Sequence, residues 1–336
     1  MRLRLLVLAL GTFAIRTGSF VFAGLLEGVA GDLSVSVGTA GNLVTDFAVT
    51  YAATSPVLVT LAGGVAPRKI LVAAMAVFAL ANAAAVFAPT FLDHRHLRGL
   101  AMTFVMVAAL GAAAMLGVRA LPSVEAPPMV GFRERLDALR QPPVLAALGL
   151  TTLGLMGGFV VFNYVSPLLA EITAFGGAGV SGLLFLFGIT ALLGNWLGGY
   201  GADHVGYARL MAAILVLLSL SLLGFSLLVP LSGTAFAVPG TLVVLALWGV
   251  AGFALNPLQQ YRVAGLAPST RNVALPLNAS AIYLGQGAGA GLGALVLGAG
   301  SLGTLGWTGS LCALAALVLL LLTTRTQKRP EVAPEG

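Results

Sequence analysis

The chain has 336 residues, of which 59% are hydrophobic and 8% charged, with 17 Lys and Arg against 11 Asp and Glu. Soluble domains carry roughly 25% charged residues, so a chain this apolar, with a mean hydropathy of +1.02, cannot cover a water-facing surface and is excluded from the soluble enzymes. The basic residues sit singly or in pairs between apolar runs, without the basic stripe that marks a nucleic-acid partner, and the single cysteine, Cys312, supports neither a disulfide framework nor a thiolate metal site.

A helix needs about 20 apolar residues to cross the hydrocarbon core of a bilayer. Ten stretches qualify, at approximately 5–26, 41–62, 70–91, 99–118, 143–169, 178–200, 207–229, 238–257, 273–298 and 302–323. They are continuously apolar, without the alternation of a barrel strand, so helices are expected throughout. Met1-Arg2-Leu3-Arg4 ahead of an apolar run has the look of a signal peptide, but no small-residue cleavage site follows and the run reads as a retained first span.

In chain order, the first span carries Arg16 near its middle and the second carries Asp46. A charge inside a membrane span costs about 2.5–3.5 kcal/mol on insertion scales, so each is a functional candidate. Antiparallel neighbours allow an Arg16–Asp46 pair, either purely structural or tied to coupling; the alternative is Asp46 facing outer water. Between the third and fourth spans, His94 and His96 lack the further ligands of a metal site. The longest polar segment, 119–142, contains Pro122, Pro127 and Pro128 and the run Arg133 to Arg140, and reads as a linker able to form a short surface helix. It separates an N-terminal half, 1–118, from a C-terminal half, 143–325, with a tail at 326–336.

The fifth span has Asn163, Tyr164 and Ser166 toward its outer end, and Pro167 there frees helix carbonyls. Asn256, Gln259 and Gln260 end the eighth span, and Asn278, Tyr283 and Gln286 lie in the ninth. These uncharged groups either line a path for a neutral or amphipathic solute or simply hydrogen-bond between helices, which is worth about 0.6 kcal/mol each. Gly285, Gly287, Gly289, Gly291 and Gly293 form a small-residue stripe suited to close helix packing.

Basic residues set the orientation. With a cytoplasmic N-terminus, Arg2, Arg4, Arg68, Lys69, Arg119, Arg133, Arg135, Arg140, Arg209, Arg262, Arg271, Arg325, Lys328 and Arg329 fall on the cytoplasmic side and only Arg95 and Arg98 outside. The positive-inside rule then places both termini in the cytoplasm.

The two halves also echo each other. Gly-Ser-Phe-Val-Phe at 18–22 matches Gly-Gly-Phe-Val-Val at 157–161, and Leu-Ala-Gly-Gly at 61–64 matches Leu-Gly-Gly-Tyr at 197–200 at nearly the same offset. Parallel repeats about an axis along the membrane normal are a transporter architecture. The segment 197–209, Leu-Gly-Gly-Tyr-Gly-Ala-Asp-His-Val-Gly-Tyr-Ala-Arg, resembles the cytoplasmic loop signature of the major facilitator superfamily, with Gly199, Asp203, His204, Gly206 and Arg209 in its places. Gly-Thr-Phe-Ala-Ile at 11–15, Ala-Gly-Asn-Leu-Val-Thr at 40–45, Ala-Leu-Trp-Gly-Val-Ala-Gly at 246–252 and Leu-Asn-Ala-Ser-Ala-Ile-Tyr-Leu-Gly at 277–285 are similar to its bacterial drug-efflux and arabinose-efflux-like branch.

The resemblance implies an all-α polytopic bundle working by alternating access in a bacterial cytoplasmic membrane. A small-molecule solute would be its partner, with no cofactor, no metal and no enzyme chemistry; oligomeric state is left open. It further implies that 197–209 is a gating loop, and that the fifth, eighth and ninth spans border the cavity through Asn163, Tyr164, Asn256, Gln259, Gln260, Asn278, Tyr283 and Gln286. Family members have twelve spans, six per half, whereas 101–110 here resembles the sixth span and follows closely on the third, so the fourth and fifth are absent. The first-half signature is reduced to Gly-Gly-Val-Ala-Pro-Arg-Lys at 63–69, without an acid. Two readings follow: a ten-span transporter, with Asp46 the candidate for proton coupling, or a transport-dead remnant.

Overall fold

A computed structural model of the chain describes residues 30–31, 34–61, 64–86, 98–119, 137, 140–266 and 271–327. The first expected span with Arg16, the His94–His96 segment, most of the 119–142 linker and the end of the tail lie outside the described residues. Those described are helical apart from short turns: α1 (Val37–Leu61), α2 (Pro67–Val86), α3 (Arg98–Arg119), α4 (Pro142–Phe162), α5 (Val165–Thr173), α6 (Gly177–His204), α7 (Tyr207–Leu228), α8 (Ala237–Leu266), α9 (Arg271–Ala299) and α10 (Gly303–Gln327). Nine of the ten expected spans therefore fall on described helices. Seven of these segments are long and apolar enough, within the described residues, to cross a membrane.

Turn chemistry sets the boundaries. Pro67 and Pro142 open α2 and α4, where a missing N–H costs nothing. Gly206 joins α6 to α7 at φ +86°, a left-handed conformation that glycine adopts without penalty. The expected fifth span is broken: α4 stops at Phe162, and α5 starts at Val165. Pro167 explains the position. A proline ring clashes with the carbonyl four residues earlier, here that of Asn163, so the helix gives way at Asn163–Tyr164 and leaves Pro167 in the tolerant first turn of α5. The expected end of the eighth span at 257 is corrected too, because α8 continues through Pro257 to Leu266.

The described residues form two compact units, one of residues 60–119 and one of residues 30–59 with 137–327. In the first, α2 and α3 pack antiparallel: the Arg68 guanidinium bonds to the Arg119 carbonyl, and Gly111 sits against Phe78.

In the second unit, close backbone contacts at small residues define the helix pairs. α6 and α8 run parallel, with Gly194 against Val250 and Gly198 against Ala254. α4 and α10 run antiparallel through Gly157 and Gly309, each lying where the other's carbonyl leaves no room for a Cβ. α7 and α10 are antiparallel, tied by Ser219–Ser310 at 2.7 Å and by Ser226, whose Oγ donates to the Gly303 carbonyl at 2.5 Å.

The glycine stripe of α9 serves two neighbours at once. A Cβ on Gly285, Gly289 or Gly293 would come within 2.6 Å of Thr152 O, 2.7 Å of Met156 O or 2.5 Å of the Tyr164 ring, so this row faces α4 and α5. Gly287 and Gly291 instead face Ala48 and Thr45 of α1. Each row repeats every four residues, the spacing that lets two helix backbones meet.

Candidate functional site

Polar side chains of five helices meet inside the second unit in one connected chain. Arg262 of α8, only 7% exposed, donates from Nη1 to Tyr207 Oη at 3.1 Å and from Nη2 to Thr323 Oγ1 at 3.3 Å. It also lies 5.2 Å from the centre of the Tyr207 ring, within cation–π range. The Tyr207 hydroxyl donates to Gln259 Oε1 at 2.7 Å, and Gln259 Nε2 donates to Thr151 Oγ1 at 2.7 Å and to the Ala147 carbonyl at 2.9 Å. Thr151 Oγ1 donates onward to Asn278 Oδ1 at 2.7 Å. Asn278 Nδ2 is buried and has no hydrogen-bond partner among the described residues. Every link points away from the guanidinium, so each bond polarises the next and the free amide hydrogens at the end are strengthened as donors.

Thr151, Leu155, Leu255, Asn256, Gln259 and Ile282 surround a cavity of about 10 Å³ beside this chain. That is room for about one water and not for a drug-sized molecule.

Of the sequence-predicted residues, Gln259 and Asn278 are thus brought together on α8 and α9. Asn256 and Gln260 bond to each other at 3.1 Å one turn apart, with Gln260 exposed. Asn163 and Tyr164 are buried at the α4–α5 break: Asn163 Nδ2 donates to the Phe159 carbonyl at 2.7 Å, and Tyr164 Oη donates to the Ala290 carbonyl at 3.0 Å. Tyr283 meets α1, with its ring centre 3.6 Å from that of Tyr51 and Phe47 edge-on at 6.2 Å. Gln286 is half-buried on the same helix. Asp46 is exposed on α1, and its expected partner Arg16 lies outside the described residues.

The loop 197–209 lies at the surface of the second unit. Asp203, His204, Gly206 and Arg209 are all exposed, as is Gly199, and neither Asp203 nor Arg209 forms an ion pair among the described residues. His204 stacks on Tyr200 at 4.1 Å, and Tyr200 on Trp196 at 5.7 Å, a ladder of the kind found at membrane interfaces. What ties the loop inward is Tyr207, through Gln259 and Arg262. The sequence carries no signal for Tyr207 or Thr151, and marks Arg262 only as one of the cytoplasmic-side basic residues. The signal available was the three-residue spacing of Gln259 and Arg262, which puts both on one face of α8.

A second feature missed in the sequence is an aromatic core. Trp248 is buried against Phe187 at 4.6 Å, Phe225 at 5.5 Å and Phe162 at 6.1 Å, joining α4, α6, α7 and α8.

A bundle of long apolar helices, joined through close glycine contacts, defines a polytopic membrane protein as its class. Comparisons narrow it. The chain is 26% identical to an uncharacterised MFS-type transporter, YbcL, of Bacillus subtilis over 97% of both chains. It is 28% identical to a chloramphenicol resistance protein of Streptomyces lividans over 95% of each. The fold matches the crystal structure of the human organic anion transporter MFSD10 with a TM-score of 0.66 at 17% identity, covering 95% of this chain and 96% of that one. No protein-family model matches the chain. Over nearly its whole length the chain is thus similar to transporters of the major facilitator superfamily. Its alignment with YbcL extends over 383 positions but takes in 97% of 336 residues, about 326, so about 57 positions face no residue here. Together those positions have the length of two spans with their connections.

Proposed function

We propose that this transporter exports a small neutral or amphipathic solute, a drug or a sugar, from the cytoplasm of a bacterium by alternating access. Both termini are cytoplasmic, and the halves 1–118 and 143–325 rock about the 119–142 linker. The observation that carries the reading is the likeness to a chloramphenicol resistance protein over 95% of both chains. The chemistry of the second unit agrees with it. The carboxamides of Asn256, Gln260 and Gln286 and the phenol of Tyr283 offer neutral hydrogen-bonding groups, and the spans carry no described acid apart from Asp46 to hold a cationic solute. Asp46 is then the carboxylate available to carry a coupling proton. The loop from Gly199 to Arg209 acts as the gate, with Tyr207 as the group that closes it.

The test is accumulation of radiolabelled chloramphenicol, dyes and sugars in cells expressing the chain, with membrane insertion verified. Accumulation of at least one of them falls severalfold below that in empty-vector cells, and Asp46→Asn removes the dependence on the proton gradient. An inserted chain that lowers none of them sinks the proposal.

A second reading, a transport-dead remnant, has one observation behind it. Only 6% of the span Pro67–Ala84 is buried, against 33–50% in the six spans of the second unit. A helix that has lost its packing partners would show this.

A further inference from the structure

An open cleft in the second unit, of which the sequence carries no warning, lies apart from the buried polar chain. It measures about 490 Å³ and is framed by Ser36, Thr39 and Asn42 at the beginning of α1, Pro167 in α5, and Leu297 and Leu302 at and beyond the end of α9. Pockets that hold drug-sized molecules measure about 300–1,000 Å³. One wall is polar and the other apolar. Ser36 Oγ is already engaged by the Thr39 N–H at 3.0 Å and the Thr39 hydroxyl at 2.8 Å, which fixes the first turn of α1. The Asn42 carboxamide, one turn further on, is exposed and makes no side-chain hydrogen bond among the described residues, so its donor and acceptor are both open. No charged side chain lines the space.

Just past the cavity, the gap between α1 and α9 is shut. Tyr164 is wedged against Gly41 of α1 and Gly293 of α9, and its hydroxyl is tied to the Ala290 carbonyl. The cavity is therefore an open chamber beside the tight α1–α9 seam, and not a continuation of it.

We propose that this chamber is a binding site for a neutral amphipathic solute on the outward side of the protein. The solute's apolar body rests on Pro167, Leu297 and Leu302, and its hydroxyl or carbonyl groups are read by the Asn42 carboxamide. No charged side chain lines the cleft, so an ionic solute would find no opposite charge here. The assignment rests on the export reading and orientation proposed above, and deepens them by naming a neutral solute class and a place where it is held before release.

The experiment uses the full chain in lipid nanodiscs, with radiolabelled chloramphenicol as the probe. Asn42→Leu keeps the volume and removes both hydrogen-bonding groups; Leu297→Trp fills the chamber without touching Asn42. Affinity is expected to fall about three- to tenfold in the first, for one or two lost hydrogen bonds, and more in the second. In a Cys312→Ser background, the probe should slow maleimide modification of Leu302→Cys in proportion to its occupancy. Wild-type binding that both cavity variants retain, with no protection of Leu302→Cys, overturns the site and leaves the export reading standing. A well-inserted wild-type chain that neither binds nor exports the probe overturns both for this solute class.

Discussion

Gln259 and Asn278 are carboxamides on adjacent membrane helices, yet their surroundings give them opposite energetic roles. Gln259 satisfies three groups at once, the Tyr207 hydroxyl, the Thr151 hydroxyl and the Ala147 carbonyl. Asn278 accepts one bond and leaves Nδ2 unpaired among the described residues. Replacing Gln259 by Leu strands several buried partners, each costing about 1–3 kcal/mol when left unsatisfied. Replacing Asn278 by Leu gives up one interhelical bond, worth about 0.6 kcal/mol in membrane proteins, and removes an orphan donor as well. Gln259→Leu should lower the midpoint of thermal aggregation in detergent by several degrees while Asn278→Leu leaves it nearly unchanged. Equal losses would refute the chain of bonds as drawn. Both residues stood out in the sequence because polar groups are rare in apolar runs. Their joining to Thr151, Tyr207 and Arg262 did not, because it depends on which faces of five helices converge.

At the scale of the helix, the sequence carried span positions well, since a run of about 20 apolar residues has few alternatives to crossing the bilayer. It also marked the glycine stripe of α9. It could not show that the stripe splits into two rows, because alternate glycines look like one motif until the partners of each face are known. The split makes a sharp prediction. Gly289→Ala would put a methyl group 2.7 Å from the backbone oxygen of Met156, and α4 and α9 would have to separate. Gly188 of α6 has nothing within 4 Å of its Cβ position, so Gly188→Ala meets no clash and improves helix propensity by up to about 1 kcal/mol. Thermal unfolding in the same detergent should show Gly289→Ala destabilised and Gly188→Ala equal to or above the parent. The break at Asn163–Tyr164 belongs to this scale as well. Pro167 was visible, but its effect lies four residues upstream, where its ring meets a carbonyl.

For the whole molecule, helix direction decides how many crossings the chain can lack. Thr45 of α1 bonds to the Gly287 carbonyl of α9 at 3.2 Å and Tyr51 stacks on Tyr283, so residue numbers rise in α1 as they fall in α9 and the two helices are antiparallel. An even number of crossings must therefore lie between them. Loss of two spans keeps this parity; loss of one would turn α9 over and abolish the Tyr51–Tyr283 contact. The roughly 57 positions unmatched against YbcL, about two spans in total length, satisfy the condition.

Adding two family-like spans after Phe91 should then give a chain that inserts, elutes as a single species in fluorescence-detected gel filtration and exports at least as well as the parent. Adding one span should give a chain that is degraded or aggregated, because α1 and α9 would have to pack parallel. Export by the ten-span parent would show that the second unit with α1 retains enough of the path for transport. Export gained only with the two added spans would assign the missing pair an indispensable part of it. A well-behaved chain with one added span would refute the parity argument itself.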